Sequence, residues 1–198
     1  MWTGAILAGG QSRRLGGRNK SALPIGAATV LDRQLALLRR VVDHTIIVAN
    51  DAAAFATAGV PVIPDLTPGD GALGALRTAI QAARTDRILV IACDMPFVTE
   101  ALLSYLVNAG RSADIAIPRT ARGYEPLCAT YSSRCAAELT RLIEQRRFKL
   151  SEVALIPGLI IRELGPDDLG PLGPEELLFF NINTSDDYAR AIDLDANS

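Results

Sequence analysis

Histidine occurs once in the 198 residues, at His44, and cysteine three times, at Cys93, Cys128 and Cys135, with no Cys-x-x-Cys spacing. A zinc site needs a cluster of such ligands and a disulfide framework needs paired cysteines in an oxidising compartment, so neither is expected. The cysteines read as small apolar residues of a reducing cytosol. Aromatic residues are only 5% of the chain and no sign of charge dominates, the formal net charge being −2. That balance gives no general attraction to nucleic acid or to an anionic membrane surface. Long hydrophobic runs are also missing; the most apolar run, "ILVIAC" at 88–93, has the length of a strand, so no membrane span is expected. The first residues lack the basic and apolar regions of a secretory signal. Together these absences predict a cytoplasmic protein folded as one domain over residues 1–198, with no nucleic-acid and no membrane partner.

What the sequence does contain is an alternation of short β-branched runs with segments of helical period, the pattern of βαβ units around a mainly parallel sheet. "TGAILAG" at 3–9 is a first strand, and Leu31, Leu35, Leu38 and Val42 form the apolar face of the helix that follows. "TIIVAN" at 45–50 is a second strand and "VPVIPD" at 60–65 a third, after a short alanine-rich helix. Leu73, Leu76, Ile80 and Ala83 mark another helix leading into "RILVIACD" at 87–94, whose unbroken apolar character predicts a central strand buried on both faces. Beyond it come a helix at 100–110, strands at 114–118 and 126–131, a helix from about 133 to 146, a strand near 158–164, a proline- and glycine-rich surface loop, a strand in "LLFFNIN" at 177–183, and a last helix. The fold class expected is therefore α/β, with helices layered on both faces of the sheet.

In such sheets ligands bind beyond the carboxyl ends of the strands. The stretches "LAGGQSRRLGGRNK" at 7–20, "ND" at 50–51, "PD" at 64–65 and "CDMP" at 93–96 each begin where a strand is expected to stop. Four strand ends thus converge on one crevice. In the first stretch Gly9 and Gly10 let the backbone approach a ligand closely, and Arg13, Arg14, Arg18 and Lys20 offer charge and donors to phosphate oxygens. Two familiar phosphate-binding patterns fail on spacing. A Walker loop needs glycine just before its lysine, where this chain has Asn19, and the dinucleotide pattern G-x-G-x-x-G is broken by the adjacent Gly9 and Gly10.

The run "LAGGQSRRLGGRNK" resembles the signature L-A-G-G-x-S-x-R-M-G-x-x-K of molybdenum cofactor guanylyltransferases, members of the nucleotidyltransferase superfamily, with Leu15 where methionine is usual, one more residue between Gly16 and Lys20, and Asn19 where aspartate is frequent before the lysine. The resemblance continues in order through "PDLTPGDGALGAL", which lacks the family's proline, "CDMPF", "EPLCATY", which lacks a histidine often found there, and "FFNINTSDDYARA". It implies a three-layer α/β/α, Rossmann-like nucleotidyltransferase fold and a magnesium-dependent transfer of GMP from GTP to the phosphate of molybdopterin, with pyrophosphate released.

By the same resemblance Leu7, Ala8, Gly9 and Gly10 line the nucleotide, Arg14 and Lys20 hold the triphosphate and the leaving group, and Asp94 is the Mg2+ ligand. A carboxylate at the end of a central strand suits a hard cation, although Asp94 could instead cap the next helix. Asp65 and Asn50 are carried over as nucleotide contacts, Asp65 facing either the donor edge of guanine or a ribose hydroxyl. Asn181 and Asn183 alternate with Phe180 and Ile182 and would share one side of a strand, which the resemblance places near the pterin phosphate or the metal. Arg146, Arg147 and Lys149 could meet the anionic pterin or form a solvated helix end, and His44 reads as a turn residue. The family also implies molybdenum-insertion proteins and molybdoenzyme chaperones as partners. Rival readings are a CTP-dependent cytidylyltransferase of the same fold, which Gly9 in place of alanine disfavours, a longer sugar-phosphate nucleotidyltransferase, a non-catalytic nucleotide-binding adaptor, and an oxidoreductase using a dinucleotide cofactor.

Overall fold

The computed structural model describes residues 1–8 and 20–196. β1 (Thr3–Leu7) is buried along its whole length and leads, after the undescribed stretch, to a small hairpin of β2 (Pro24–Ile25) and β3 (Ala28–Thr29). Thr29 then caps α1 (Val30–Val41): its hydroxyl accepts from the Asp32 N–H at 3.1 Å, while the Asp32 carboxylate accepts from the Thr29 N–H at 3.2 Å. Two orphan donors are satisfied reciprocally, which fixes where the helix begins. β4 (His44–Val48), β5 (Val62–Ile63), α2 (Gly71–Ala82) and β6 (Arg87–Ala92) follow. α3 (Glu100–Ala109) starts at Thr99, whose hydroxyl accepts the Leu102 N–H. The remaining elements are β7 (Ile115–Thr120), β8 (Gly123–Tyr124), β9 (Cys128–Ser132), α4 (Cys135–Glu144), β10 (Ile161–Leu164), α5 (Pro166–Leu169), α6 (Glu175–Leu178) and α7 (Ser185–Ala196).

Among the described residues the main sheet runs β10-β7-β9-β6-β1-β4-β5, with β8 added to β7. β1 pairs in parallel with both β4 and β6, β4 with β5, and β7 with β10; β9 is inserted antiparallel between β6 and β7. The expectation of a mainly parallel sheet thus holds, with two reversed strands, the short β8 and β9; the apolar run "PLCATY" does not reveal the direction of β9. Side chains alternate across the sheet as the two-residue period of a strand requires. Ile6, Ile47, Leu89 and Ile91 pack with Leu35 and Leu38 of α1 and Leu102 and Leu106 of α3. Ala5, Ile46, Ile88 and Val90 pack with Leu76 and Ile80 of α2 and Leu139 and Leu142 of α4 on the other face. That is the three-layer α/β/α arrangement. No helix of the described residues is long and apolar enough to cross a membrane.

Four local expectations change. The stretch 177–183 is no strand: residues 175–178 form α6, and Phe179 and Phe180 donate their N–H groups back to the Glu175 and Leu177 carbonyls. The following residues cross the end of the sheet with no strand neighbour, and the Ile182 N–H bonds the Asp94 carbonyl at 2.9 Å. The proline- and glycine-rich loop contains α5, where Pro166 stands in the first turn and needs no N–H. The alanine-rich helix before β5 is a single 3-10 turn at Ala53–Phe55. β5 itself keeps only Val62 and Ile63, since Pro61 and Pro64 on either side lack the N–H a ladder uses.

A smaller apolar cluster decides the site's shape. Leu23, Ile25 and Val30 from the hairpin region pack with Phe180, Ile182 and Ala191. Residues that follow β1 and residues that precede α7 are thereby held side by side.

Candidate active site

Because β1, β4, β5 and β6 run in the same direction, their carboxyl ends lie on one edge. Asp94 follows β6, Asn50 follows β4, and Asp65 follows β5. Across this edge the Lys20 ammonium lies 3.2 Å from Asp94 Oδ2 and donates to Asn183 Oδ1 at 2.8 Å. The Lys20 and Asp94 side chains are 19% and 18% exposed, so the pair is neither free in solvent nor sealed in the core. Asn183 is placed by the backbone bond from Ile182 to Asp94 and by Asp187, whose carboxylate accepts the Asn183 and Thr184 N–H groups at 3.0 and 2.8 Å. Those N–H groups, with the Thr184 hydroxyl, hold the Asp187 carboxyl below the usual carboxylate range against the opposing effect of its burial.

A carboxylate oxygen and an amide oxygen that converge on one positive charge are the hard donors a divalent cation also takes. Among the described residues no group of at least three histidines, cysteines, aspartates or glutamates could enclose a metal. A cation here would therefore be held by Asp94 with help from Asn183 and would complete its shell with water and ligand oxygens, the manner in which Mg2+ is usually bound beside phosphates. The residues fit that kind of ion.

The second cluster joins Asn50 and Asp65. Asn50 Oδ1 accepts the Asp65 N–H at 2.9 Å, while Asp65 Oδ1 accepts from the Thr78 hydroxyl at 2.9 Å and the Thr67 N–H at 3.3 Å. Thr78 is fully buried on α2, so the carboxylate is oriented from beneath and its second oxygen takes no part in these bonds. Ala8 stands at the edge, its N–H on the Val48 carbonyl, whereas Leu7 is buried in the core with its carbonyl bonded to the Cys93 N–H.

The expected site residues thus divide. Lys20, Asp94 and Asn183 are brought into direct contact, and Asn50 and Asp65 into another cluster. Asn181 instead turns its amide to the Phe179 carbonyl at 3.0 Å. Gly9, Gly10 and Arg14 lie outside the described residues. Arg147 pairs with Glu152 at 2.7 Å, and His44 opens β4 at the opposite edge of the sheet. Sequence reasoning passed over Thr78 and the fully buried Gln34 of α1. The signal for Gln34 was present: it stands four residues from both Val30 and Leu38, an amide on the apolar face of an amphipathic helix.

Burial, reinforced by the adjacent Asp94 carboxylate, pushes the Cys93 thiol up to about 12, and burial raises Cys135 to about 11 and Cys128 further. The thiolate is the reactive form. A thiol-specific disulfide reagent at neutral pH is expected to leave the buried Cys128 and Cys135 unlabelled and to react only slowly with the partly buried Cys93 in the folded protein, and to label all three after denaturation. Rapid reaction of any one in the folded protein would contradict this.

A family model described as the MobA-like NTP transferase domain matches residues 4–154. A protein of Pelotomaculum thermopropionicum named a probable molybdenum cofactor guanylyltransferase is 34% identical, over 99% of this chain and 94% of its own length. Among solved structures, the molybdopterin-guanine dinucleotide biosynthesis protein A of Archaeoglobus fulgidus superposes with a TM-score of 0.82 at 28% identity, covering 99% of this chain and 100% of that one. A Mycobacterium tuberculosis protein solved in complex with manganese gives a TM-score of 0.71 at 26% identity, covering 97% of this chain and 98% of the other.

Proposed function

This chain belongs to the family of molybdenum cofactor guanylyltransferases, built on the MobA-like NTP transferase domain, and on that premise we propose that it transfers GMP from GTP to the terminal phosphate of molybdopterin. A phosphate oxygen of the acceptor attacks the α-phosphorus of GTP; the bond from that phosphorus to the bridging oxygen breaks, and its electron pair leaves on pyrophosphate. The nucleophile is already ionised at neutral pH, so the site needs no histidine base. What it must do is bring two anions together and stabilise the charge that grows on the leaving group.

The observation that carries this reading is the Lys20 ammonium held between Asp94 and Asn183 at the carboxyl edge. Lys20, with Arg14, holds the triphosphate, and Gly9 and Gly10 let the backbone approach it. Asp94 and Asn183 would hold Mg2+, which when bound supplies further positive charge to the phosphate oxygens. As the triphosphate enters, the ammonium transfers its contact from the two protein oxygens to phosphate. Asp65 and Asn50, at the ends of β5 and β4, three and two strands along the sheet from β6, accept the donor edge of guanine or a ribose hydroxyl, with Ala8 and the backbone of Leu7 lining the nucleotide. Asn183 faces the acceptor phosphate, while Asn181, its amide nitrogen bonded to the Phe179 carbonyl, supports the segment that carries it.

Incubation of the purified protein with molybdopterin and GTP, CTP or ATP, with and without Mg2+, tests this directly. Formation of the guanine dinucleotide and pyrophosphate from GTP alone, and only with the metal, is the expected result. Preference for CTP would make the protein a cytidylyltransferase, and binding of GTP with no transfer would make it an adaptor.

A further inference from the structure

Gln34 is the one uncharged amide side chain that α1 carries into the core, at 0% exposure. Its amide nitrogen donates to the Ala92 carbonyl at 2.7 Å and to the Met95 carbonyl at 3.0 Å. Both partners are acceptors only, so the nitrogen must face them and the orientation of the amide is fixed by chemistry. Its oxygen, Oε1, is buried without a partner. An apolar side chain of the same length would avoid that unmet oxygen, and native cores rarely retain such a group for packing alone.

The location of the two carbonyls explains why it is kept. Ala92 is the last residue of β6 and Met95 follows the reversal of the chain, so the two bonds bracket Cys93 and Asp94. On one side the Cys93 N–H is held by the Leu7 carbonyl at 3.1 Å, and on the other the Asp94 carbonyl accepts the Ile182 N–H at 2.9 Å. Gln34 supplies the remaining restraint from beneath, out of a helix whose start is itself locked by the Thr29 and Asp32 cap. We infer that Gln34 is a positioning residue for Asp94: by clamping the backbone before and after it, the buried amide aims the carboxylate at the metal and at Lys20. This rests on the reading of Asp94 as the metal ligand.

Such support behind a ligand is worth about ten- to a hundredfold in metal affinity. The test is a titration of the protein–GTP complex with Mn2+, following free ion by electron paramagnetic resonance, in wild type, Gln34→Met, Asp94→Asn and Leu35→Ala. Gln34→Met matches the length and removes both donors, and is expected to weaken Mn2+ binding about tenfold while metal-free GTP binding stays at the wild-type value. Leu35→Ala weakens the same helix's packing while leaving both hydrogen bonds from Gln34 to the turn in place, and is expected to lower thermal stability with Mn2+ affinity unchanged. Should Gln34→Met not fold, Gln34→Asn, which withdraws the same amide by one methylene, is expected to give the same loss in smaller size. If Asp94→Asn loses Mn2+ and folded Gln34 variants keep it, the positioning role is overturned while the metal reading stands. Equal losses in Gln34→Met and Leu35→Ala would reduce the residue to ordinary packing. If Asp94→Asn keeps full affinity, the metal reading itself falls.

Discussion

Asp94→Ala is expected to lower nucleotidyl transfer about a thousandfold, on the scale of removing one group that stabilises developing charge, while barely shifting the melting temperature. The separation of the two effects follows from the geometry. The Asp94 side chain is 18% exposed and its ion pair with Lys20 is reached by solvent, so the attraction is offset in part by the cost of desolvating both charges. The ammonium keeps its bond to Asn183 at 2.8 Å in the variant, so no buried charge is stranded. The backbone around position 94 is held by Leu7, Ile182 and Gln34, none of which uses the carboxylate. Transfer, by contrast, on the proposed reading loses the carboxylate that would hold the metal where two anions are brought together. Steady-state rates at saturating GTP and Mg2+, beside a thermal melt, check both halves; near-normal turnover would remove Asp94 from the mechanism.

The second large effect is on stability. Phe179→Ala should cost about 3–5 kcal/mol, the range for deleting a buried aromatic side chain, and lower the melting temperature by about 6–20 °C at the usual slope for a chain of this size. Phe179 is at 0% exposure and packs in the core shared by α1 and α3. Its carbonyl accepts from Arg122 at 2.9 Å and from Asn181 at 3.0 Å, so the side chain and the backbone both anchor the segment that delivers Asn183. Circular dichroism melting measures the loss, and a fall of less than about 1 kcal/mol would mean the core closes over the gap. A weaker grip of Asn183 on Lys20 should accompany it as reduced turnover at temperatures where the variant is still folded.

These two residues also illustrate what the sequence reveals and what it hides. Asp94 stands at the end of the most apolar run in the chain, so its place at a central strand's carboxyl edge was legible from hydrophobic pattern alone. Phe179 belongs to a run whose alternation of apolar and polar residues reads as a strand; Phe180 and Ile182 are indeed buried and Asn181 and Asn183 more exposed. The alternation survives in a crossing segment because burial against one surface, not strand pairing, produces it. Strand direction was hidden for a similar reason: the residues of β9 would be equally apolar in either orientation, and only the short connections from β7 and to α4 force the reversal. The Asn50–Asp65 contact spans 15 residues and Lys20–Asp94 spans 74. Nothing in local periodicity encodes such pairs; for them only the rule that ligands gather at strand ends, and the resemblance of motifs, gave any lead.

Lys20 and Asn183 are separated by 163 residues of chain. Contacts of such long range form late, because closure of the intervening loop has to precede them. During synthesis every strand of the sheet has been made once β10 is complete, yet Asn183 and α7 have still to emerge. At about 5–20 residues per second they follow within a few seconds. A ribosome-bound or prematurely terminated chain ending at β10 could therefore assemble the sheet, but would lack a residue that grips Lys20 and the apolar cover of Phe180, Ile182 and Ala191. On the proposed role of Lys20 and Asn183, turnover is expected only once that last segment has docked.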